Sequence, residues 1–117
     1  MNEAQFGLSA NVISQLCSVL TQHPNIERAV VYGSRAKGNY KPGSDIDLTL
    51  FAAQGKDISF RELCNILDEI DDLLLPYMVD LSVFTQIDNP ELRAHIARVG
   101  KVFYMQADAG AGGYEGG

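Results

Sequence analysis

The segment from Gly33 to Leu48 reads Gly-Ser-Arg-Ala-Lys-Gly-Asn-Tyr-Lys-Pro-Gly-Ser-Asp-Ile-Asp-Leu, a glycine-serine turn followed ten residues later by a pair of aspartates. Each part has a physical use. Gly33 lacks a Cβ, so a phosphate can approach its backbone, and Ser34 offers a hydroxyl and an N–H at the start of a helical turn, where the local dipole favours anions. The tail of a nucleoside triphosphate such as ATP suits such a turn. Arg35 and Lys37 lie in the same turn and carry charge suited to a leaving pyrophosphate, although two cations in a surface loop are common without that duty.

Asp45 and Asp47 are two apart on a candidate strand, and alternation projects both from one face, with Cα atoms roughly 6 to 7 Å apart. Two carboxylates so placed repel each other, which raises one pKa at a cost in stability. One or two Mg²⁺ ions, which prefer hard oxygen ligands, turn that repulsion into binding. Asp80 stands on a later strand, on the face opposite Val79, Leu81 and Val83. Parallel pairing of the two strands brings it beside the first two acids. Three converging carboxylates suit a two-metal in-line displacement at a phosphate, with Asp80 also available to accept a hydroxyl proton. Taken singly, each acid reads as a solvent-facing surface residue. Together with the Gly-Ser turn they make a site.

Positioning them falls to a short series of elements. From Ser9 to about Gln22, Ile13, Leu16, Cys17 and Leu20 recur at helical spacing, with Ser9 or Asn11 as a cap and Pro24 beyond the end. Ala29 to Tyr32 is a short buried strand that stops at Gly33, and Asp45 to Phe51 alternates Ile46, Leu48 and Leu50 against Asp45, Asp47 and Thr49. Arg35 to Ser44 predicts one helical turn and then a loop. A longer helix is expected from about Ser59 to Leu74, its stripe made by Phe60, Leu63, Cys64, Leu67, Ile70 and Leu74, with Asp68, Glu69, Asp71 and Asp72 largely off it. Pro76 ends it. Met78 to Thr85 alternates again, Asn89 to Val99 is a third helix carrying Leu92, Ile96 and Val99, and Val102 to Tyr104 adds a closing extended segment. The order helix, strand, strand, helix, strand, helix indicates an α/β sheet domain with the Met78 strand parallel to the Asp45 strand. Residues 1–106 are expected to form the single domain. Residues 107–117 include five glycines and little to bury, and are expected to be a disordered tail.

Composition excludes several classes of function. A chain of 117 residues encloses one core. Its net charge of −6 repels a polyanion, which disfavours generic nucleic-acid binding. No apolar run approaches the ~20 residues of a membrane helix, and the first residues carry no basic stretch leading into an apolar one, so a cytoplasmic location without membrane attachment is expected. Cys17 and Cys64 are far apart, each in a helical stripe, and are expected to be reduced core residues. His23 and His95 have no ligand-spaced partner and receive no role. Tyr40 before the aspartates and Tyr114 in the tail are single aromatics without support as base-stacking or acceptor residues. The acids from Asp68 to Asp72 read as a solvated helix face.

Gly33, Ser34, Asp45 and Asp47 resemble the signature of the DNA polymerase β-like nucleotidyltransferase superfamily, Gly-Ser, ten residues, then Asp-x-Asp. The short length, the Gly-Ser-Arg-Ala-Lys-Gly wording and Val79-Asp80-Leu81 resemble its minimal nucleotidyltransferase (MNT) group, over about residues 9 to 104. The resemblance implies a nucleotidyltransferase fold, a small mixed β-sheet flanked by helices. It also implies Mg²⁺ on Asp45, Asp47 and Asp80, and phosphates of ATP at Gly33 and Ser34. MNT proteins are often paired with a HEPN-domain ribonuclease toxin that they neutralise, in some systems by moving AMP to a toxin tyrosine. An AMP-transferring antitoxin acting on a HEPN partner is the expectation. An antitoxin that works by contact alone and an enzyme that adenylylates a small molecule are the alternatives. The Gly-rich tail has no counterpart in the pattern.

Overall fold

A computed structural model describes residues 4–107; the expected tail, apart from Ala107, and Tyr114 within it lie outside the described residues. The chain runs α1 (Ala10–Thr21), β1 (Ile26–Tyr32), α2 (Gly33–Lys37), β2 (Ile46–Ala52), α3 (Phe60–Asp71), β3 (Val79–Val83), a 3₁₀ turn (Phe84–Gln86), α4 (Pro90–Val99) and β4 (Lys101–Met105). The four strands form one mixed sheet in the order β3-β2-β1-β4. β1 is antiparallel to β2 and β4, while β2 and β3 are parallel. The expected α/β class and the parallel pairing are both present.

Strand alternation sorts the side chains onto two faces. Ala29 and Val31 of β1, with Ile46, Leu48 and Leu50 of β2 and Leu81 and Val83 of β3, enter the main core under α1 and α3. Val30 and Tyr32 turn to the opposite face and pack with Ile96 of α4. Asp47, alternating with Ile46 and Leu48, therefore belongs to the face that α4 covers only in part.

The helix starts are set by side-chain caps that satisfy otherwise unpaired N–H groups. Ser9 Oγ accepts from the Val12 N–H, Ser59 Oγ from that of Glu62, and Asn89 Oδ1 from those of Glu91 and Leu92, with Pro90 in the first turn of α4. Of the two candidate caps for the first helix, Ser9 takes the position.

α3 departs from its expected stripe. It ends at Asp71, and Leu74 adopts a left-handed backbone with φ 56° and is 87% exposed. Phe60 is 74% exposed at the other end. The face that packs on the core is Leu63, Ile66, Leu67 and Ile70. Three leucines follow Asp72 as Leu73, Leu74 and Leu75 and extend the apolar run past the helix end, which misleads a reading by periodicity. β1 begins earlier than its apolar run suggests, because Arg28, polar in type, lies with its guanidinium 3.8 Å from the Phe51 ring centroid and so joins the sheet as an amphipathic side chain. The Met78 strand is shorter than expected and closes into the 3₁₀ turn after Val83. Cys17 and Cys64 are free and half-buried, and burial pushes the Cys17 thiol up from its ordinary value.

His23, just past α1, bridges to α3. Its Nδ1 lies 3.1 Å from Glu62 Oε2 and its Nε2 2.9 Å from Glu69 Oε1, and Glu62 Oε1 accepts from Asn25 Nδ2. Burial lowers the imidazole pKa, but the hydrogen bonds and charges of Glu69 and Glu62 outweigh it and the net shift is upward from 6.5. A raised folded pKa means that the stabilisation is fully present below pH 6.5 and fades as pH climbs through the higher folded value. Urea midpoints of the wild type should therefore fall between pH 6 and 9, and His23→Gln should flatten that slope. Parallel curves for the two proteins would show that the bridge contributes nothing to stability.

Candidate functional site

The site forms at one end of the sheet, where β1 stops and β2 and β3 begin. Tyr32, the last residue of β1, is the Cα partner of Asp47, and Asp47 is the Cα partner of Asp80 across the parallel β2–β3 pair. The next residue after Tyr32 is Gly33, whose φ of 75° breaks the strand and starts α2. A side chain is excluded at this position: a Cβ on Gly33 would run into Asp47 Oδ2. The glycine-serine turn and the acid pair, separated by a loop in sequence, are thus in direct apposition. Gly38 caps α2 in the left-handed region, its N–H donating to the Ser34 carbonyl.

Asp45 and Asp80 are exposed and Asp47 is half-buried. Burial, followed by the charges of Asp80 and Asp45, pushes the Asp47 carboxyl above its ordinary value, with His95 pulling it back. Asp45 and Asp80 are therefore both within electrostatic reach of Asp47. Tyr32 closes the buried side of the cluster. Its phenol is pushed up by burial and by the Asp80 charge, against a hydrogen bond with Ser82, and by Asp47. Ser82 Oγ in turn donates to Thr49 Oγ1 at 3.0 Å.

The donor set fits a hard divalent cation. It is composed of carboxylate oxygens, it crowds like charges, and it has no protein counter-ion, since among the described residues the ion pairs are those of His23 alone. As placed, no three His, Cys, Asp or Glu side chains among the described residues are gathered tightly enough to enclose an ion. Like charges repel, and the two exposed carboxylates have open solvent to turn into.

The remaining expected residues are placed differently from one another. Ser34 is half-buried directly after Gly33, and Lys37 is exposed in the last turn of α2. Arg35 is buried, and its guanidinium donates to the carbonyls of Phe6, Pro42 and Ser44. Tyr40 is 38% exposed, with the Arg35 guanidinium carbon 5.3 Å from its ring centroid. His95 is the residue that a sequence reading misses. It meets the Tyr32 ring edge-on at 6.2 Å between centroids and lies close enough to Asp47 to lower its pKa. No spacing signal marks it, because a lone histidine in the last helix acquires a location only when α4 packs across β1.

Similarity to known proteins agrees with this fold. Two chains from toxin–antitoxin complexes share the fold. One, from a complex with AMP-PNP, has 20% identity and a TM-score of 0.62 over 82% of this chain and 75% of the other. The second, from the tri-AMPylated Shewanella oneidensis HEPN toxin in complex with its MNT antitoxin, has 18% identity and a TM-score of 0.59 over 82% of this chain and 71% of the other. Among proteins of curated function none matches. The sequence model of the polymerase beta nucleotidyltransferase family matches residues 14–109. That span takes in the Gly-Ser turn, the paired aspartates and Asp80, and the chain belongs to the polymerase beta nucleotidyltransferase family.

Proposed function

We propose that this protein transfers AMP from ATP to a protein hydroxyl, in the cytoplasm, and that the acceptor is a tyrosine of a HEPN-domain toxin which it thereby neutralises. One observation carries the reading. The backbone at Gly33 abuts the carboxylate of Asp47, so a phosphate seated on the turn lies beside the acids. The family match and the fold shared with chains from toxin–antitoxin complexes support the chemistry and the kind of partner.

In this reading Gly33 and Ser34 receive the triphosphate through backbone and hydroxyl, and the exposed Lys37 faces the charge of the departing pyrophosphate. Asp45, Asp47 and Asp80 hold Mg²⁺, which when bound neutralises phosphate charge and lowers the pKa of the attacking hydroxyl. Asp80, exposed on the edge strand, takes the hydroxyl proton. Tyr32 and His95, edge-on to each other, flank the buried side.

The test is ATP labelled at the α-phosphate, Mg²⁺ and a candidate HEPN-domain partner. Labelled toxin with the wild type, and none with Asp45→Asn plus Asp47→Asn, is the expected result. Equal labelling by both proteins, or none by either, would remove the proposal. Neutralisation of the toxin by the unlabelling double variant would mark a contact-only antitoxin instead, and label on a small molecule without labelled protein would mark a small-molecule adenylyltransferase.

A further inference from the structure

Arg35 is 2% exposed, and it is the one charged residue that is fully buried among the described residues. Its Nε donates to the Ser44 carbonyl at 3.1 Å, Nη2 to the same oxygen at 2.9 Å and to the Pro42 carbonyl at 3.3 Å, and Nη1 to the Phe6 carbonyl at 3.0 Å. The guanidinium carbon lies 5.3 Å from the Tyr40 ring centroid and 5.0 Å from that of Tyr77. No carboxylate pairs with it, the ion pairs among the described residues being those of His23. A cation removed from water without a counter-charge is unfavourable unless dipoles and ring faces replace its hydration. Here carbonyls and aromatic faces do so, and four hydrogen bonds occupy most of its five N–H groups.

Those acceptors belong to separate pieces of chain. Phe6 lies in the tight turn that precedes α1, where Gln5 and Leu8 exchange backbone hydrogen bonds. Pro42 and Ser44 lie in the loop that leads directly to Asp45. Arg35 itself is one residue beyond Ser34. We infer that Arg35 is a positioning residue. It ties the phosphate turn to the loop before β2 from the inside, so that Asp45 stays beside Asp47, and it makes no contact with the triphosphate. The bidentate grip on Ser44 requires the planar fork of arginine and is not available to lysine. Its importance for transfer rests on the reading of Asp45 given above, but the clamp itself does not.

Hydrogen exchange of the protein without nucleotide or metal tests the clamp directly. The Lys41 N–H donates to Ser44 Oγ, the Ser44 N–H to the Lys41 carbonyl, and the Ile46 N–H to the Met78 carbonyl, so these amides report on the loop. Arg35→Lys should speed exchange at Lys41 and Ser44 by about tenfold or more, with the Leu48 and Leu50 amides unchanged. In transfer assays the same variant should lose turnover while the KM for ATP stays within about twofold, since a clamp acts on placement and not on phosphate affinity. Unchanged exchange together with a raised KM for ATP at constant kcat would overturn the inference and make Arg35 a phosphate ligand. If the variant exchanges faster throughout, Tyr40→Leu, which keeps all four hydrogen bonds and removes one ring face, should still loosen Lys41 and Ser44 selectively, and a loop unchanged there overturns the clamp. Absence of any transfer by the wild type would count against the proposed function alone, because the exchange result is read without it.

Discussion

Asp47→Asn should lower nucleotidyl transfer by on the order of a thousandfold while leaving the metal-free protein as stable as the wild type or more so. The loss follows from removing the central member of the acid cluster. Charge stabilisation by a held cation is worth several kcal/mol, and about 1.36 kcal/mol corresponds to a factor of ten in rate. The opposite sign on stability follows from the carboxyl's position. Burial first, and then the charges of Asp80 and Asp45, raise its pKa above 3.8 in the folded protein, so the ionised form is disfavoured by folding. A group with a raised folded pKa contributes stability that is complete below pH 3.8 and is lost as pH rises through the higher folded value. Once the carboxyl ionises that stability is gone, whereas asparagine, of similar shape and without charge, never incurs the repulsion. Melting temperatures at pH 7 without metal should therefore be no lower for the variant. Addition of Mg²⁺ should raise the melting temperature of the wild type and leave that of the variant where it was. A variant that melts well below the wild type in the absence of metal would show that Asp47 supports the fold and would spoil its reading as a ligand.

Gly33→Ala should be nearly as damaging to transfer, for a different reason. The φ of 75° places the residue in the left-handed region, where a Cβ is strained by about 1–2 kcal/mol. That Cβ would also run into Asp47 Oδ2. The carboxylate must then move, and a displacement near 1 Å at a reacting centre costs roughly a hundredfold in rate. Gly38→Ala is the matched control. Its φ is 89°, so it carries similar backbone strain, yet no atom lies within 4 Å of the added Cβ. Gly33→Ala should lower the urea midpoint at least as much as Gly38→Ala, and only Gly33→Ala should lose transfer by about a hundredfold or more under denaturant-free conditions where both are folded. Equal activity in the two would mean that contact between turn and carboxylate is irrelevant to the reaction.

The local features of this site are properties of contiguous sequence. Asp45 and Asp47 stand before and within a strand whose alternation is visible as Ile46, Leu48 and Leu50 against the acids, because the period of two is set by backbone geometry alone. The break at Gly33 is equally local, since few residues other than glycine hold a positive φ without strain. The element order was legible for the same reason, as helices and strands announce themselves through nearby spacing. Where spacing and apolar composition diverged, the reading slipped, as at Leu74, which continues the apolar run but leaves the helix, and at Arg28, whose polar head hides a strand position.

What only the tertiary structure decided is which distant groups meet. The sequence determined that Asp80 lies on a strand with its side chain opposite the core, but the register that sets it against Asp47 depends on how β3 is laid beside β2. His95 reaches Tyr32 and the neighbourhood of Asp47 only because α4 packs across the sheet face that carries them. Arg35, two residues beyond the strand break, has the same sequence appearance whether its guanidinium turns toward a phosphate or toward the interior, and the acceptors at Phe6, Pro42 and Ser44 settle its direction. Periodicity constrains a side chain relative to its own backbone. Contacts between segments depend on packing among many candidate partners, and no single stretch of sequence contains that information.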